Sequence, residues 1–428
     1  MKKPQILFFL ALLYGFCIYG SMAMMSLGAG IVFLGWICLR WGSLKKDLCL
    51  FKDSPLLLPT LFLCFSCVWS LLWVQLIDLE FLGKKPQVQW FQDTRKLWHL
   101  FFPFILASVF SSFSESQLQK IFKAWLAFGL GSAVLGIVQH YIPVFNPTPM
   151  PNPGLRDYYH STGLSGFHLS YATILSFPAL AWLSLFGFFQ RRSGFNRYFF
   201  VFLLVCMVFF IANIFTYSKI AWLALPASIA LVLLMGFKGR VRYVLTGLTL
   251  IFCVFWSFSP QVKQRFFNVQ TIEERFKVWE ANFEMIKRYP LFGVGWHHNS
   301  ELSSAYYEVI KKRPGFVSGF VSHAHNNFLD QWASTGIIGL FSFVYWCVIC
   351  FVLNYRIYTS QQNYFWRSMG LGFVGGWVCL HINGLTQTNF WDAKILHQTG
   401  FVVAMTLEIY RRKLELLQPK GHFFGNSP

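Results

Sequence analysis

The sequence predicts an all-α, polytopic integral membrane protein with about 12 transmembrane helices and one large, partly helical loop late in the chain. Three observations carry this. Of 428 residues, 55% are hydrophobic and only 12% are charged, about half the charge of an ordinary soluble protein. Mean hydropathy is +0.47. Apolar runs of about 20 residues, the length that crosses a bilayer, recur along the whole chain. The composition excludes a soluble enzyme, a disordered chain and a nucleic-acid binder, the last in spite of a formal charge of +19.

The twelve spans are expected near 5–22, 24–40, 56–76, 98–112, 120–140, 167–188, 197–215, 219–236, 243–258, 326–353, 367–384 and 394–410. Lys2 and Lys3 ahead of the first run resemble the start of a signal peptide. A second span follows at once with no small-residue cleavage site, so the first is expected to be retained. With the N-terminus inside, 20 of the 36 basic residues fall on the cytoplasmic side against 5 of the 17 acidic ones, which leaves +15 inside and +4 outside. The positive excess is therefore a topology signal, and it places both termini in the cytoplasm. The chain divides into nine helices over 1–258, a large outer loop over 259–324, three helices over 325–410 and a tail over 411–428.

Cys64 and Cys67, and Cys347 and Cys350, have the spacing of redox or zinc pairs, but both pairs lie inside apolar helices, where packing is the expected role. The spans carry almost no charge at mid-membrane depth. Proton and ion pathways usually place ionisable side chains there, so their absence weighs against a transporter. Ten of the eleven histidines fall at or near the outer side. Each alone is more often structural than catalytic, yet the distribution is consistent with polar work done on that face.

The loop over 259–324 holds nine basic residues and six glutamates. Thr271 followed by Glu274 has the spacing of a capping box. After it, Ile272, Phe276, Trp279, Phe283 and Ile286 share one helical face. Such a helix would rest in the membrane interface, or close over a site and present Arg275 to an anionic lipid-linked substrate. It is expected to end at Tyr289-Pro290, followed by a tight turn at Gly293 and Gly295.

Next comes the most informative stretch, His323-Ala324-His325-Asn326-Asn327, which opens the tenth span with Asp330 and Gln331 one turn further in. A helix N-terminus at His325 would lower its pKa and keep the imidazole neutral. A neutral imidazole can take a proton from a hydroxyl. Alternatively these polar groups merely cap a helix, or the His-Ala-His pair binds a metal, for which no further ligand is near in sequence. Gly336 and Gly339, three apart, would let another helix approach closely.

At these residues the chain resembles the superfamily of O-antigen ligases and O-antigen polymerases. The ligase pattern, His-Asn, nine residues, Gly, two residues and Gly, reads here as His325, Asn326, Gly336 and Gly339. A second block of Arg, Trp, Pro and Gly-x-Gly reads as Arg275, Trp279, Pro290, Gly293 and Gly295, and a third as Gly163 to Ser170. The resemblance covers roughly 155–345. One departure is Ser218-Lys219-Ile220, where the family usually has Ser-Arg-Gly; lysine keeps the charge but loses the planar fork that grips phosphate.

The resemblance implies a bacterial inner-membrane glycosyltransferase with a periplasmic loop. It would move a glycan from undecaprenyl pyrophosphate to lipid A–core, with membrane lipids as its other partners and no metal, nucleotide or other cofactor. His325 is then the expected general base, with Arg275 and Lys219 neutralising the pyrophosphate. Arg156, Arg265, Lys287 and Arg288 are further candidates for substrate phosphates, and His323 and Asn326 for orienting His325. A polymerase, a protein-glycosylating relative and, from another class, a solute transporter are the alternatives.

Overall fold

The computed structural model describes residues 3–146, 151–152, 155–193, 197–258, 269–311 and 323–417. Over these the protein is an all-α membrane protein. Its helices are α1 (Lys3–Cys17), α2 (Met22–Arg40), α3 (Leu44–Lys52), α4 (Leu57–Leu76), α5 (Trp90–Thr94), α6 (Trp98–Phe110), α7 (Glu115–Tyr141), α8 (His168–Ser193), α9 (Arg197–Ile214), α10 (Ala221–Gly236) and α11 (Val241–Ser257). The second part adds α12 (Val269–Arg288), α13 (Asn299–Ala305), α14 (Asn327–Ser360), α15 (Tyr364–Asn383) and α16 (Ala393–Leu417). A short antiparallel pair, β1 (Pro151–Asn152) and β2 (Leu155–Tyr159), was not expected from the sequence.

Each of the twelve predicted segments falls on one of these helices. Among the described residues, six stretches are long and apolar enough to cross a membrane by length and composition: Met22–Lys52, Leu57–Leu76, Glu115–Tyr141, His168–Ser193, Arg197–Ile214 and Asn327–Ser360. The first runs on through a 3-10 turn from α2 into α3. The apolar interior joins α1, α4, α6, α7, α14, α15 and α16 around Trp125, Trp346 and Trp377, and a second cluster joins α8, α10 and α15. Small residues allow these approaches; a β carbon on Gly372 of α15 would lie 2.4 Å from the backbone of Ala181 in α8.

Two buried carboxylates, Asp47 and Glu408, are ion-paired. Arg40 holds the buried Asp47, donating from Nε at 2.7 Å. Glu408, also buried, accepts from Arg411 and Arg412. A buried carboxylate needs such partners to remain ionised. Cys67, Cys347 and Cys350 are buried and Cys64 partly so, all as free thiols, in keeping with the packing role.

In α12 the predicted apolar face divides. Trp279 and Ile286 pack on Ala324, Leu329 and Ala333, but Phe276 and Phe283 stay exposed. The buried side is instead Val278, Ala281 and Met285, and the last two pack against Val74, Leu79 and Phe81. The helix is therefore docked between α14 and the end of α4, with two phenylalanines left at its surface. It begins at Val269, so Thr271 lies inside the first turn and not at the cap. The side chains of Thr271 and Glu274 lie outside the described residues.

Candidate functional site

The site is built where α14 begins. Asn326 is its N-cap, accepting from the amides of Phe328 and Leu329 at 2.9 and 3.0 Å. Its Nδ2 donates to the carbonyl of Leu385 at 3.1 Å. Both ends of the Asn326 side chain thus meet backbone groups, which makes it a capping residue here. Asn327 locks the same helix end onto the loop between α15 and α16. Its amide donates to Gly384, its Nδ2 to Asn389, and its Oδ1 accepts from the amides of Asn389 and Phe390.

His325 precedes this cap with φ +48, a left-handed conformation that costs a bulky residue of order 1 kcal/mol or more. The turn is held from both sides. Trp279 of α12 donates its indole N–H to the carbonyl of Ala324 at 2.8 Å, and the amide of Ala324 donates to Oδ1 of Asp330 at 3.1 Å. Arg275 lies one turn before Trp279 on the same helix, half-buried. Burial lowers its pKa from the ordinary value, though a guanidinium stays charged at any physiological pH. Burial, then the Arg275 charge, then His323 push His325 down to about 4, against the opposing carboxylate of Asp330. The direction agrees with the neutral imidazole expected from the sequence, but its causes are burial and a guanidinium.

The two glycine blocks meet directly. Gly336 has φ +69 and ψ −172 and breaks α14. Into the break fits the segment after α12. Val294 donates its amide to the carbonyl of Ala333 at 3.0 Å, and Ile337 donates to the carbonyl of Pro290 at 2.8 Å. The groups that the break frees are thereby paired again, as irregular backbone at membrane depth requires. A β carbon on Gly293 would lie 2.5 Å from the carbonyl of Ser334. Gly336 therefore admits the backbone of a loop, where the sequence spacing pointed to a neighbouring helix. Gly295 also has a left-handed φ, +98. Gly339 lies against its own helix, with Thr335 Oγ1 in the space of a β carbon.

Further polar groups gather behind this turn. Asn299 of α13 donates to Asp330 Oδ1 at 3.0 Å and to Asn282 Oδ1 at 2.8 Å, joining α12, α13 and α14. His297 has φ +66, stacks on Trp296 at 4.5 Å and faces His323 at 6.2 Å. Its two ring nitrogens are buried without a partner among the described residues. Burial, with Lys96, His323 and His298 adding, pushes His297 well below its ordinary pKa. His297, His323 and Asp330 offer ligand atoms within 4.8 Å of one another, a spacing that a divalent cation could use. The two hydrogen bonds already on Asp330 Oδ1 and the nearby Lys96 ammonium favour a hydrogen-bonding role instead.

Of the candidates read from the sequence, the structure gathers Arg275, Trp279, His323, His325, Gly293 and Gly336 at this turn. Lys219 precedes α10, half-buried, and adjoins the same α15–α16 loop, because its neighbour Ser218 accepts from Gln387 at 3.4 Å. Lys287 and Arg288 are exposed; Arg288 pairs with Glu284 at 2.9 Å and lies over the ring of Phe81, so its charge is already engaged. Arg265 and the side chain of Arg156 lie outside the described residues. Sequence reasoning noticed Asp330 only as a polar residue near the helix start and His297 only among the ten outer-side histidines, and missed Asn299 and Lys96. Lys96 lies in the segment before α6, where burial lowers its pKa against the pull of Asp392. No sequence spacing links these residues as a set, since three separate segments bring in Lys96, His297 with Asn299, and Asp330.

Residues 202–344 match the family model described as O-Antigen ligase. The chain is also similar to the ComP-specific O-oligosaccharyltransferase of Acinetobacter baylyi, 26% identical over 213 residues. That alignment takes in 47% of this chain and only 37% of the relative's length. Residues 202–344 contain Lys219, Arg275, both glycine blocks and His325. The resemblance carried by those motifs holds, and residues 202–344 are the part of this multi-pass membrane protein that is similar to the O-antigen ligase family.

Proposed function

We propose that this protein transfers a glycan from undecaprenyl pyrophosphate to a hydroxyl of lipid A–core at the periplasmic face of the bacterial inner membrane. The observation that carries this reading is the turn at Ala324, which Trp279 and Asp330 hold so that a neutral His325 sits under the influence of Arg275. His325 accepts the proton of the acceptor hydroxyl, whose oxygen forms the new bond to the anomeric carbon. The bond from that carbon to the pyrophosphate oxygen breaks, and the electron pair leaves with the pyrophosphate. Arg275 neutralises the charge that develops there, and Lys219 assists as a point charge. The two exposed phenylalanines of α12, Phe276 and Phe283, suit a helix at the headgroup level beside a lipid-borne substrate.

A second reading is favoured by the relative, named as an O-oligosaccharyltransferase. Here the same donor delivers its glycan to a protein hydroxyl. A polymerase that extends a second lipid-linked glycan uses the same groups. The experiment offers the purified protein lipid-linked glycan with lipid A–core, with a hydroxyl-bearing protein or with a second lipid-linked glycan. Transfer to lipid A–core alone supports the ligase. Transfer only to one of the others replaces it, and no transfer to any of the three removes the glycosyltransferase reading.

A further inference from the structure

Asp330 is a buried carboxylate that takes no part in the reaction as written above. It lies in the first turn of α14, only 2% exposed, and its Oδ1 is the meeting point of three elements. One hydrogen bond comes from the amide of Ala324, in the turn that carries His325. The other comes from Asn299 of α13, which is bound in turn to Asn282 of α12. Arg275 rides on that same helix, and Trp279 closes the circuit by donating to the other side of Ala324. The peptide units around Ala324 are therefore clamped at N–H and C=O by groups that belong to different helices.

We propose that Asp330 is the positioning residue of this site, fixing the strained His325 turn in register with Arg275. The inference rests on the functional reading of His325 and deepens it. Left-handed backbone at a bulky residue persists only where its surroundings over-determine it, and Asp330 supplies one of the bonds that hold this turn. A carboxylate suits the task because one oxygen accepts two N–H groups at once, and charge-assisted bonds are about twice as strong as neutral ones. The charge also reaches His325. Arg275 from α12 and His323 from the turn disfavour its protonated form, while Asp330 from α14 favours it. His297, from the segment before α13, faces His323, and Lys96 acts on His297 and Asp330 from the segment before α6.

Asp330→Asn keeps an oxygen for the two N–H donors and removes the charge; Asp330→Ala removes both. With full-length protein in detergent, lipid-linked glycan and the acceptor that the wild type uses, Asp330→Ala is expected to lose at least 100-fold in kcat. Asp330→Asn is expected to lose several-fold, with the acid limb of its pH–rate profile moved to lower pH, a readout that mere loss of packing does not move. Asp330→Glu is expected to recover part of the loss and the wild-type limb. An unmoved limb in Asp330→Asn, or a loss in Asp330→Ala that only follows thermal unfolding, overturns the proposal. Should Asp330→Ala fail to fold, the Asp330→Asn profile decides. A wild type that transfers normally beside unaffected variants sinks this inference alone, whereas a wild type without transfer sinks the functional reading.

Discussion

Gly336 and Leu291 are in backbone contact: a β carbon on Gly336 would lie 2.1 Å from the carbonyl oxygen of Leu291. That contact seats the segment after α12 in the break of α14, so the helix that carries Arg275 and the helix that His325 opens are held as one unit. Gly336→Ala must both adopt φ +69 and displace a peptide group. The backbone conformation alone costs about 1–3 kcal/mol. The expected outcome is a lower unfolding temperature in detergent and loss of transfer in the fraction that remains folded, measured by thermal unfolding and by activity of the soluble fraction. Wild-type stability would show that the break has another cause.

His325→Ala is expected to lower the transfer rate by about 10²–10⁴-fold, the range for a general base. The wild-type imidazole, held down to about 4, is neutral throughout the physiological range. Its rate should stay flat from pH 8 to near 5 and fall below that as the imidazole takes up its proton. The folding linkage has the same sign. Between the unfolded value of about 6.5 and the folded one, only the unfolded chain binds the proton, so stability falls as pH drops through this window. A rate that already declines near pH 6.5 would contradict the burial of His325.

Lys219 tests how much of the donor's charge is met away from α12. Replacing it by Ala should raise the donor KM by about tenfold, which is about 1.4 kcal/mol, with a smaller change in acceptor KM. Lys219→Arg should keep or tighten donor affinity, since the planar fork engages two phosphate oxygens. Steady-state kinetics with donor and acceptor varied separately would settle it. Equal KM values in wild type and Lys219→Ala would remove the residue from the site.

His298 is a stability element at the start of α13. Burial disfavours its charged form, but Glu301 and Asp93 outweigh it and raise its pKa. Its Nδ1 meets Glu301 at 2.5 Å and its Nε2 meets Asp93 at 3.2 Å, tying α13 to α5. A raised folded pKa means that the contribution is complete below the unfolded value and is lost as pH rises through the folded one. His298→Gln should therefore destabilise more at pH 5.5 than at pH 9 in thermal unfolding scans. An equal penalty at both values would mean that the imidazole works by packing alone.

Composition and apolar runs were enough to foresee a helix at each of the twelve predicted segments, because a bilayer imposes one length and one polarity on whatever crosses it. The candidates in the ligase-type pattern were also legible, since His325, Arg275, Trp279 and the glycines keep short spacings within two segments. The predicted face of α12 was half right. Trp279 and Ile286 turned inward, but docking between α14 and the end of α4 gave Val278, Ala281 and Met285 the buried side, a choice set by neighbours that helical periodicity does not name.

By itself, then, the sequence determined that the chain is a helical membrane protein and which residue types carry its polar chemistry, both being local properties of composition and spacing. Only the tertiary structure decided what those residues do to one another. It turned Gly336 from a small residue on a helix face into a break that a loop enters, because a glycine's φ is chosen by its surroundings and not by its neighbours in sequence. It also made Asp330 the clamp of the His325 turn and drew His297 and Lys96 toward it. Burial, hydrogen bonding and charge interactions between distant segments, such as Lys96 and Asp330 at 234 positions apart, are long-range terms that no window of sequence contains.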